Sequence, residues 1–279
     1  MSLMSKLSIL TVAATISAIA NFDVVNYVKN DLIKNPKIKV NNVKLIEKQP
    51  LKKYGDWNAY LILMNLNIGG KNDNYPETIL VNEKDGLVAV GSRSLYDYKK
   101  HKFIAQNLRP KMDVTKFYND DHLIAGSKDA KHKLIVFSDP MCPFCRQHVP
   151  TIYQDVKAHP KDLALYYYHL PLERIHPISP ILTRVMEVLQ KQGKMDEAIK
   201  LYTLPESFIR ETNEDKVLAE LKKRYNINVT KEQIDKDEIK NAVKSDVLKA
   251  NEMFVRGTPT VYLDGKYDDK VTSYKKYIK

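Results

Sequence analysis

The sequence predicts an α+β protein of two domains that are joined by a helical linker. Three observations support this organisation: an apolar segment at the N-terminus, a period-two alternation of apolar residues in the first third of the chain, and short apolar runs that alternate with helical periodicity in the second half. At 279 residues the chain is long enough for two domains with separate cores.

The N-terminal segment, residues 1–20, has the features of a secretory signal peptide. In MSLMSKLSILTVAATISAIANFD, one lysine precedes an apolar stretch from Leu7 to Ala20, with a further small residue at Ala18. We expect cleavage after Ala20. The stretch is shorter than the roughly 20 apolar residues that span a bilayer. An uncleaved membrane anchor remains the alternative, and export places the mature protein in an oxidising compartment.

Residues 21–93 are predicted to form a small α+β domain. Apolar residues of the segment 22–35 recur at helical spacing before Pro36, and the stretch YLILMNLNI alternates with a period of two until Gly69 and Gly70. A hairpin follows in ETILVNEKDGLVAVG, with Asp85 and Gly86 at its turn. The domain contains no obvious chemistry, so binding or self-association is its expected role.

Residues 94–128 are charged, mostly compatible with helix and interrupted by Pro110, which predicts a helical linker. The domain that follows, 129–279, begins with the apolar run LIVF, typical of a buried strand. We then expect a helix that is kinked or restarted near Pro150, a strand in LALYYYHL, helices over about 174–250, a strand pair in GTPTVYLDGKYDD and a small C-terminal helix.

The net charge of +11 does not indicate a nucleic-acid partner. The lysines are spread along the chain and interleaved with acidic residues, without a run of like charges or a basic stripe with aromatic residues. A solvated, lysine-rich surface accounts for the charge, and no nucleic acid is expected among the partners.

The stretch FSDPMCPFCRQHVP contains both cysteines of the chain, Cys142 and Cys145. A single pair does not make a disulfide scaffold, and so short a loop would restrict the unfolded chain too little to matter for stability. A thiol at a helix N-terminus faces unpaired N–H groups and the positive end of the helix dipole, which stabilise its thiolate. We therefore predict that Cys142 is the attacking nucleophile and Cys145 the resolving thiol, with Pro143 at the helix start.

Two alternatives compete with a redox pair. Cys142, Cys145 and His148 have a spacing that a zinc site could use if a distant residue completed it, but the sequence has no second Cys-x-x-Cys. The other alternative is a pair of buried, inert cysteines. We predict no metal and no cofactor.

Two motifs together resemble the thioredoxin fold, and within it the bacterial periplasmic disulfide enzymes of the DsbC/DsbG and DsbA type. These motifs are LIVFSDPMCPFC, residues 134–145, and RGTPTVYLDG, residues 256–265. The resemblance covers about the last 150 residues. It implies that Pro259 is cis, that Thr258 offers its backbone to the substrate, and that Pro143 and Phe144 tune the redox potential.

The resemblance is closer to DsbC/DsbG because of the SDP before the cysteines and the separate N-terminal domain. It implies a C-terminal thioredoxin fold with a helical insertion, and a cystatin-like N-terminal domain that forms a homodimer. Unfolded or misfolded exported proteins in the periplasm would be the substrates, and a membrane redox partner would reset the active site. Val136 stands where thioredoxin has a buried acid, which favours a more oxidising couple.

The favoured function at this point is a disulfide isomerase for exported proteins. A DsbA-like oxidase, a reductase of sulfenic acids on single-cysteine proteins, and a chaperone or binding module with a minor redox role remain as alternatives. The direction in which the electrons flow is left open by the sequence.

Overall fold

The computed structural model describes residues 22–52, 54–89, 94–97, 99, 102–105 and 108–278. The predicted signal peptide, residues 1–20, lies outside this range. Among the described residues, no helix is long and apolar enough to cross a membrane. The described strands form a four-stranded sheet, a five-stranded sheet and a two-stranded hairpin.

The N-terminal domain is a short helical segment packed on an antiparallel meander. Helix α1 (Val24–Tyr27) continues as a π-helical turn (Val28–Leu32). The strands follow in sheet order: β1 (Ile38–Pro50), β2 (Trp57–Ile68), β3 (Lys71–Asn82) and β4 (Leu87–Ala89). Gly69 and Gly70 both have positive φ, 60° and 84°, as a tight hairpin turn between β2 and β3 requires.

The period-two pattern of β2 places apolar residues on both faces of this sheet. Tyr60, Ile62 and Met64 pack with Val24 and Val28 of the helical segment. Ala59 and Leu61 point to the opposite face, where they belong to a second apolar cluster. The sheet therefore has a second face that needs a cover, and the C-terminal domain supplies it.

The predicted helical linker over 94–128 is wrong. The described residues of this segment form β5 (Ser94–Asp97) and β6 (Lys102–Ala105), which pair as a hairpin, two short 3-10 turns, and β7 (Leu123–Gly126). β7 belongs to the five-stranded sheet, so the C-terminal domain begins before residue 129. The composition of this segment predicted a helix, but strand pairing is a non-local interaction that overrides a weak local preference.

The C-terminal domain is built on the five-stranded sheet, whose order is β11-β10-β8-β9-β7. β8 and β9 run parallel, and the other pairs are antiparallel. The strands not yet defined are β8 (His132–Ser138), β9 (Leu163–His169), β10 (Thr260–Leu263) and β11 (Lys266–Asp268).

Helices cover both faces of this sheet. Helix α2 (Pro143–Ala158) connects β8 to β9 and is continuous through Pro150, so it does not restart there; a kink at Pro150 stays a prediction. The predicted helical region is present as α3 (Ser179–Lys191), α4 (Met195–Lys200), α5 (Glu214–Tyr225), α6 (Lys231–Ile234) and α7 (Asp237–Glu252). The chain ends in a 3-10 turn (Ser273–Tyr277) where a small helix was predicted.

The sheet register brings two distant segments to one edge. β10 is antiparallel to β8, with Thr260 opposite Phe137. The segment that precedes β10 therefore lies beside the segment that follows β8. These are the two segments that contain the motifs identified in the sequence.

The two domains meet at Phe254, which follows α7. Phe254 is buried against the face of the N-terminal sheet that lies opposite the helical segment, with Leu61 and Leu80 in the same cluster. Two arginines extend the contact. Arg109 donates to the carbonyl oxygen of Phe254 at 3.4 Å, and Arg256 donates to that of Pro76 at 3.0 Å.

We predict that Phe254→Ala lowers the free energy of unfolding by about 3 kcal/mol, because it removes a buried aromatic ring and leaves a cavity. Denaturant-induced unfolding measures the loss. Phe144→Ala is the matched control, since Phe144 is 65% exposed and its truncation should change stability little. Equal losses for the two variants would contradict the domain contact.

Candidate active site

Cys142 lies at the N-cap position of α2, directly after the turn that leaves β8. Its N–H donates to the carbonyl oxygen of Asp139 at 3.1 Å, which closes the turn. No side chain caps this helix end, and Pro143 occupies the first helical turn, where its missing N–H costs no hydrogen bond. The free N–H groups of the first turn therefore point toward the Cys142 sulfur.

Asp139 organises the turn that presents Cys142. Its carboxylate is buried and accepts from the N–H groups of Met141 and Leu172 at 2.8 and 2.7 Å. The Ser179 hydroxyl and the His176 ring, at 2.6 and 3.0 Å, complete the set. Four partners hold the carboxylate in place, so Asp139 is a structural acceptor.

The second motif lies directly against the first. The peptide bond between Thr258 and Pro259 is cis, and the Sγ of Cys142 is 3.2 Å from the carbonyl oxygen of Thr258. The hydroxyl of Thr258 is buried and has no hydrogen-bond partner among the described residues. The fold thus brings Cys142, Cys145, Thr258 and Pro259 together; the roles assigned to them remain predictions.

The environment of Cys142 stabilises its thiolate. The Cys145 thiol, which donates a hydrogen bond to the Cys142 sulfur, is the main reason that the pKa of Cys142 falls to about 5. The N–H groups of Cys145 and Phe144 contribute in the same direction, against the effect of burial. A thiol with this pKa is ionised at neutral pH and can act as a nucleophile.

Cys145 has the opposite character. It is fully buried one helical turn further in, and this burial raises its pKa above the ordinary thiol value. The neighbouring Cys142 adds to the increase, whereas the Ser138 side chain and the Asp139 N–H oppose it. The two thiols are not disulfide-bonded in this structure.

The other residues at the start of α2 differ in their surroundings. Pro143 and Phe144 are exposed beside Cys142, with no charged group of their own. Arg146 donates to the carbonyl oxygen of Leu204 at 2.6 Å, so it ties α2 to the helical region. His148 is partly buried. No group of three metal-ligating side chains was found in the described part of the chain.

The sequence did not reveal the polar groups behind Cys145. The strand predicted in LALYYYHL is β9, and Tyr166, Tyr167 and Tyr168 are all buried in it. The Tyr167 hydroxyl, however, lies 2.7 Å from that of Tyr202, which lies 2.7 Å from the Ser138 hydroxyl. Only the spatial contact between β8, β9 and the turn after α4 creates this chain.

Comparison with known proteins gives one family and several partial relatives. Residues 118–279 match the family model described as thioredoxin. The Na(+)/H(+) antiporter NhaA 1 of Mycobacterium sp. (strain KMS) is 33% identical over 155 residues, which cover 52% of this chain and 24% of that protein. The chain thus spans about a quarter of the length of the first curated relatives it matches.

Another relative is the "Probable disulfide bond formation protein D" of Bacillus anthracis, 29% identical over 150 residues, or 50% of this chain and 68% of that protein. Among solved structures, oxidised BdbD from Bacillus subtilis is similar with a TM-score of 0.45 and 21% identity, over 54% of this chain and 85% of that one. Proteus mirabilis ScsC in a transitional conformation has a TM-score of 0.46 and 18% identity, over 58% and 71%.

We predict that alkylation of Cys142 in the reduced protein is half-maximal near pH 5, the value to which its pKa falls. The rate of reaction with iodoacetamide as a function of pH measures this midpoint. In Cys145→Ala the midpoint should move upward, because the main hydrogen-bond donor is lost. A midpoint near the ordinary thiol value of about 8.5 in the unchanged protein would contradict the assignment.

The lowered pKa also makes the stability of the reduced protein depend on pH. The folded pKa lies below the unfolded one, so ionised Cys142 contributes its full stabilisation above the unfolded value of about 8.5. This contribution falls as the pH decreases toward 5. We expect the unfolding free energies of the reduced protein and of Cys142→Ala to converge over that interval in denaturant titrations; a constant difference would contradict the shift.

Proposed function

Because the chain belongs to the thioredoxin family, through residues 118–279, we propose that it is a thiol:disulfide oxidoreductase that acts on exported proteins. The observation that carries the proposal is the position of Cys142, whose thiolate is stabilised at the start of α2 beside Thr258 and Pro259. Nucleophile, resolving thiol and a backbone segment for the substrate are all within reach of one another.

The proposed reaction has two steps. A substrate thiolate attacks the Sγ of Cys142 in the oxidised protein, which breaks the bond to Cys145 and forms a mixed disulfide. A second substrate thiolate then releases Cys142 as a thiolate. Both electrons remain on the two cysteines, and the substrate leaves with a disulfide. In the reverse direction Cys142 attacks a substrate disulfide and Cys145 resolves it.

The low pKa of Cys142 favours the disulfide-donating direction. A stabilised thiolate stabilises the reduced form of the pair, and this makes the disulfide form a stronger oxidant. The name of the Bacillus anthracis relative, which refers to disulfide bond formation, is consistent with this direction. We therefore place disulfide donation first and isomerisation, the function favoured from sequence, second.

Isomerisation is retained because of the N-terminal domain. Arg256, next to the Gly257-Thr258-Pro259 segment, donates to the N-terminal domain at Pro76, so that domain lies close to the substrate-binding segment. A surface next to the substrate-binding segment would suit a protein that binds misfolded chains. Assignment to the DsbC/DsbG group, the homodimer and the cystatin-like character of this domain stay predictions, and a monomer in analytical ultracentrifugation would count against isomerisation.

The proposed location is the periplasm or another exported compartment. Residues 1–20 support this location because they resemble a signal peptide. A disulfide donor also needs oxidising surroundings, which an exported compartment provides. Substrates would be unfolded or misfolded exported proteins, and a membrane redox partner would restore the disulfide between Cys142 and Cys145.

The test is transfer of a disulfide from the oxidised protein to a reduced, unfolded secretory protein, followed by thiol quantification. We expect transfer by the unchanged protein and none by Cys142→Ala. In the reverse direction, reduced Cys145→Ala mixed with a disulfide-bonded substrate should accumulate a mixed disulfide through Cys142, because the resolving thiol is missing. Transfer by Cys142→Ala would contradict the proposal. A reduction potential near about −120 mV would favour donation over isomerisation.

The same preparations separate the remaining alternative, a chaperone with a minor redox role. If binding of unfolded chains alone mattered, Cys142→Ala would prevent aggregation of an unfolded protein as well as the unchanged protein does, and the unchanged protein would not accelerate disulfide formation. Isomerisation is measured independently by mixing the reduced protein with a substrate that has scrambled disulfides and following the recovery of the native disulfides.

A further inference from the structure

Three hydroxyl groups form a buried chain behind the resolving cysteine. The Ser138 side chain lies near enough to the Cys145 thiol to lower its pKa, against the larger effect of burial. The Ser138 Oγ is 2.7 Å from the Tyr202 hydroxyl, which is 2.7 Å from the Tyr167 hydroxyl. All three residues and Cys145 are at most 2% exposed, so water does not compete for these hydrogen bonds. Three elements contribute to the chain: β8, β9 and the turn after α4.

The hydroxyl chain has one strong hydrogen-bond acceptor, and this acceptor decides the direction in which the hydroxyl groups donate. Beyond Tyr167 the next group is the thioether of Met186 at 3.9 Å, which is a weak acceptor. At the other end is Cys145, which becomes a strong acceptor when it is a thiolate. Each hydroxyl then donates toward Cys145, from Tyr167 to Tyr202, from Tyr202 to Ser138, and from Ser138 to the sulfur. Hydrogen bonds in such a series polarise and strengthen one another.

The other titratable groups around Cys145 do not replace this chain. Asp139 turns its backbone N–H to the Cys145 sulfur, while its carboxylate is occupied by four donors that include His176. Cys142 carries the substrate during the resolving step and is then neutral. Burial raises the pKa of Tyr167 and of Tyr202, so both phenols keep their protons and remain donors over the accessible pH range.

We propose that the hydroxyl chain of Ser138, Tyr202 and Tyr167 stabilises the Cys145 thiolate, and that Tyr202 is the positioning residue that makes Ser138 an effective donor. The inference rests on the proposed redox function and adds the groups that activate its resolving thiol. Stabilisation by a neutral chain leaves no buried charge when Cys145 returns to the thiol or disulfide form.

The assisted step is the release of a bound partner from Cys142. Cys145 loses its proton, and its thiolate attacks the Sγ of Cys142 in the mixed disulfide. The bond between Cys142 and the partner sulfur breaks as the bond between Cys142 and Cys145 forms. Cys145 is oxidised, the partner sulfur is reduced, and the proton ends on the departing partner thiolate. In the opposite direction the chain stabilises Cys145 as the leaving thiolate.

The test is stopped-flow reaction of the reduced protein with 5,5′-dithiobis(2-nitrobenzoate). Attack by Cys142 releases the first thionitrobenzoate, and resolution by Cys145 releases the second. We expect Tyr202→Phe to slow the second phase about tenfold at neutral pH, the effect of a lost hydrogen bond near a charged group, and to move its pH midpoint upward. The first phase should be unchanged, which also shows that the variant is folded.

Tyr168→Phe is the matched control. Tyr168 is the next residue in β9 and is equally buried, but its hydroxyl donates to the carbonyl oxygen of Phe117 at 2.7 Å on the other face of the sheet. It should leave both phases unchanged. Ser138→Ala, a second variant that removes the direct donor, should slow the second phase at least as much as Tyr202→Phe.

The outcomes separate the inference from the function on which it rests. A second phase with the same rate and pH midpoint in Tyr202→Phe, Ser138→Ala and the control would overturn the hydroxyl chain while the redox function stands. Absence of a second phase in the unchanged protein would overturn the redox function itself. Slowing by Tyr168→Phe as large as that by Tyr202→Phe would assign the effect to packing and also overturn the inference.

Discussion

A single turn of helix separates the two sulfurs of this protein, and the difference between their surroundings governs the rest of the site. Cys142, at the N-cap of α2, lies among N–H groups that have no partner within the helix. Cys145, one turn further on, is fully enclosed by the core. The same hydrogen bond between them lowers the pKa of Cys142 and raises that of Cys145. A pair arranged in this way has one thiol that is readily ionised and one that is held in its protonated form.

That arrangement depends on contacts from distant parts of the chain. The carboxylate of Asp139 gathers donors from the segment after β9 and from α3, which holds the turn before Cys142 in place. The antiparallel pairing of β10 with β8 brings Thr258 and Pro259 to the same edge. Behind Cys145, the buried hydroxyls offer a thiolate the hydrogen bonds that burial would otherwise deny it. The result is a site in which Cys142 lies against the segment with Thr258 and Pro259, and neutral hydroxyl groups lie on the buried side.

The N-terminal domain gives this chain a second structural unit that the matching family model does not include, because the match begins at residue 118. Its sheet has apolar residues on both faces, and the C-terminal domain covers one of them through Phe254. The covered face lies next to the segment that contains Thr258, since Phe254 and Arg256 immediately precede it. Any role of the domain in substrate selection would therefore act through this short connection rather than through a long flexible linker.

The sequence by itself determined the local features: the strand LIVF, the helix start at Cys142 and the hairpin with Asp85 and Gly86 at its turn. A family resemblance singled out Thr258 and Pro259, whose role stays a prediction. Each of these depends on neighbouring residues or on a motif, and so it is visible in one dimension. Tertiary structure decided the rest. The hairpin in the expected helical linker, the partners of Asp139, the burial of Phe254 and the contact of Tyr202 with Ser138 all join residues far apart in the chain. Burial and hydrogen-bond partners are set by such non-local packing, for which a single sequence contains no direct signal.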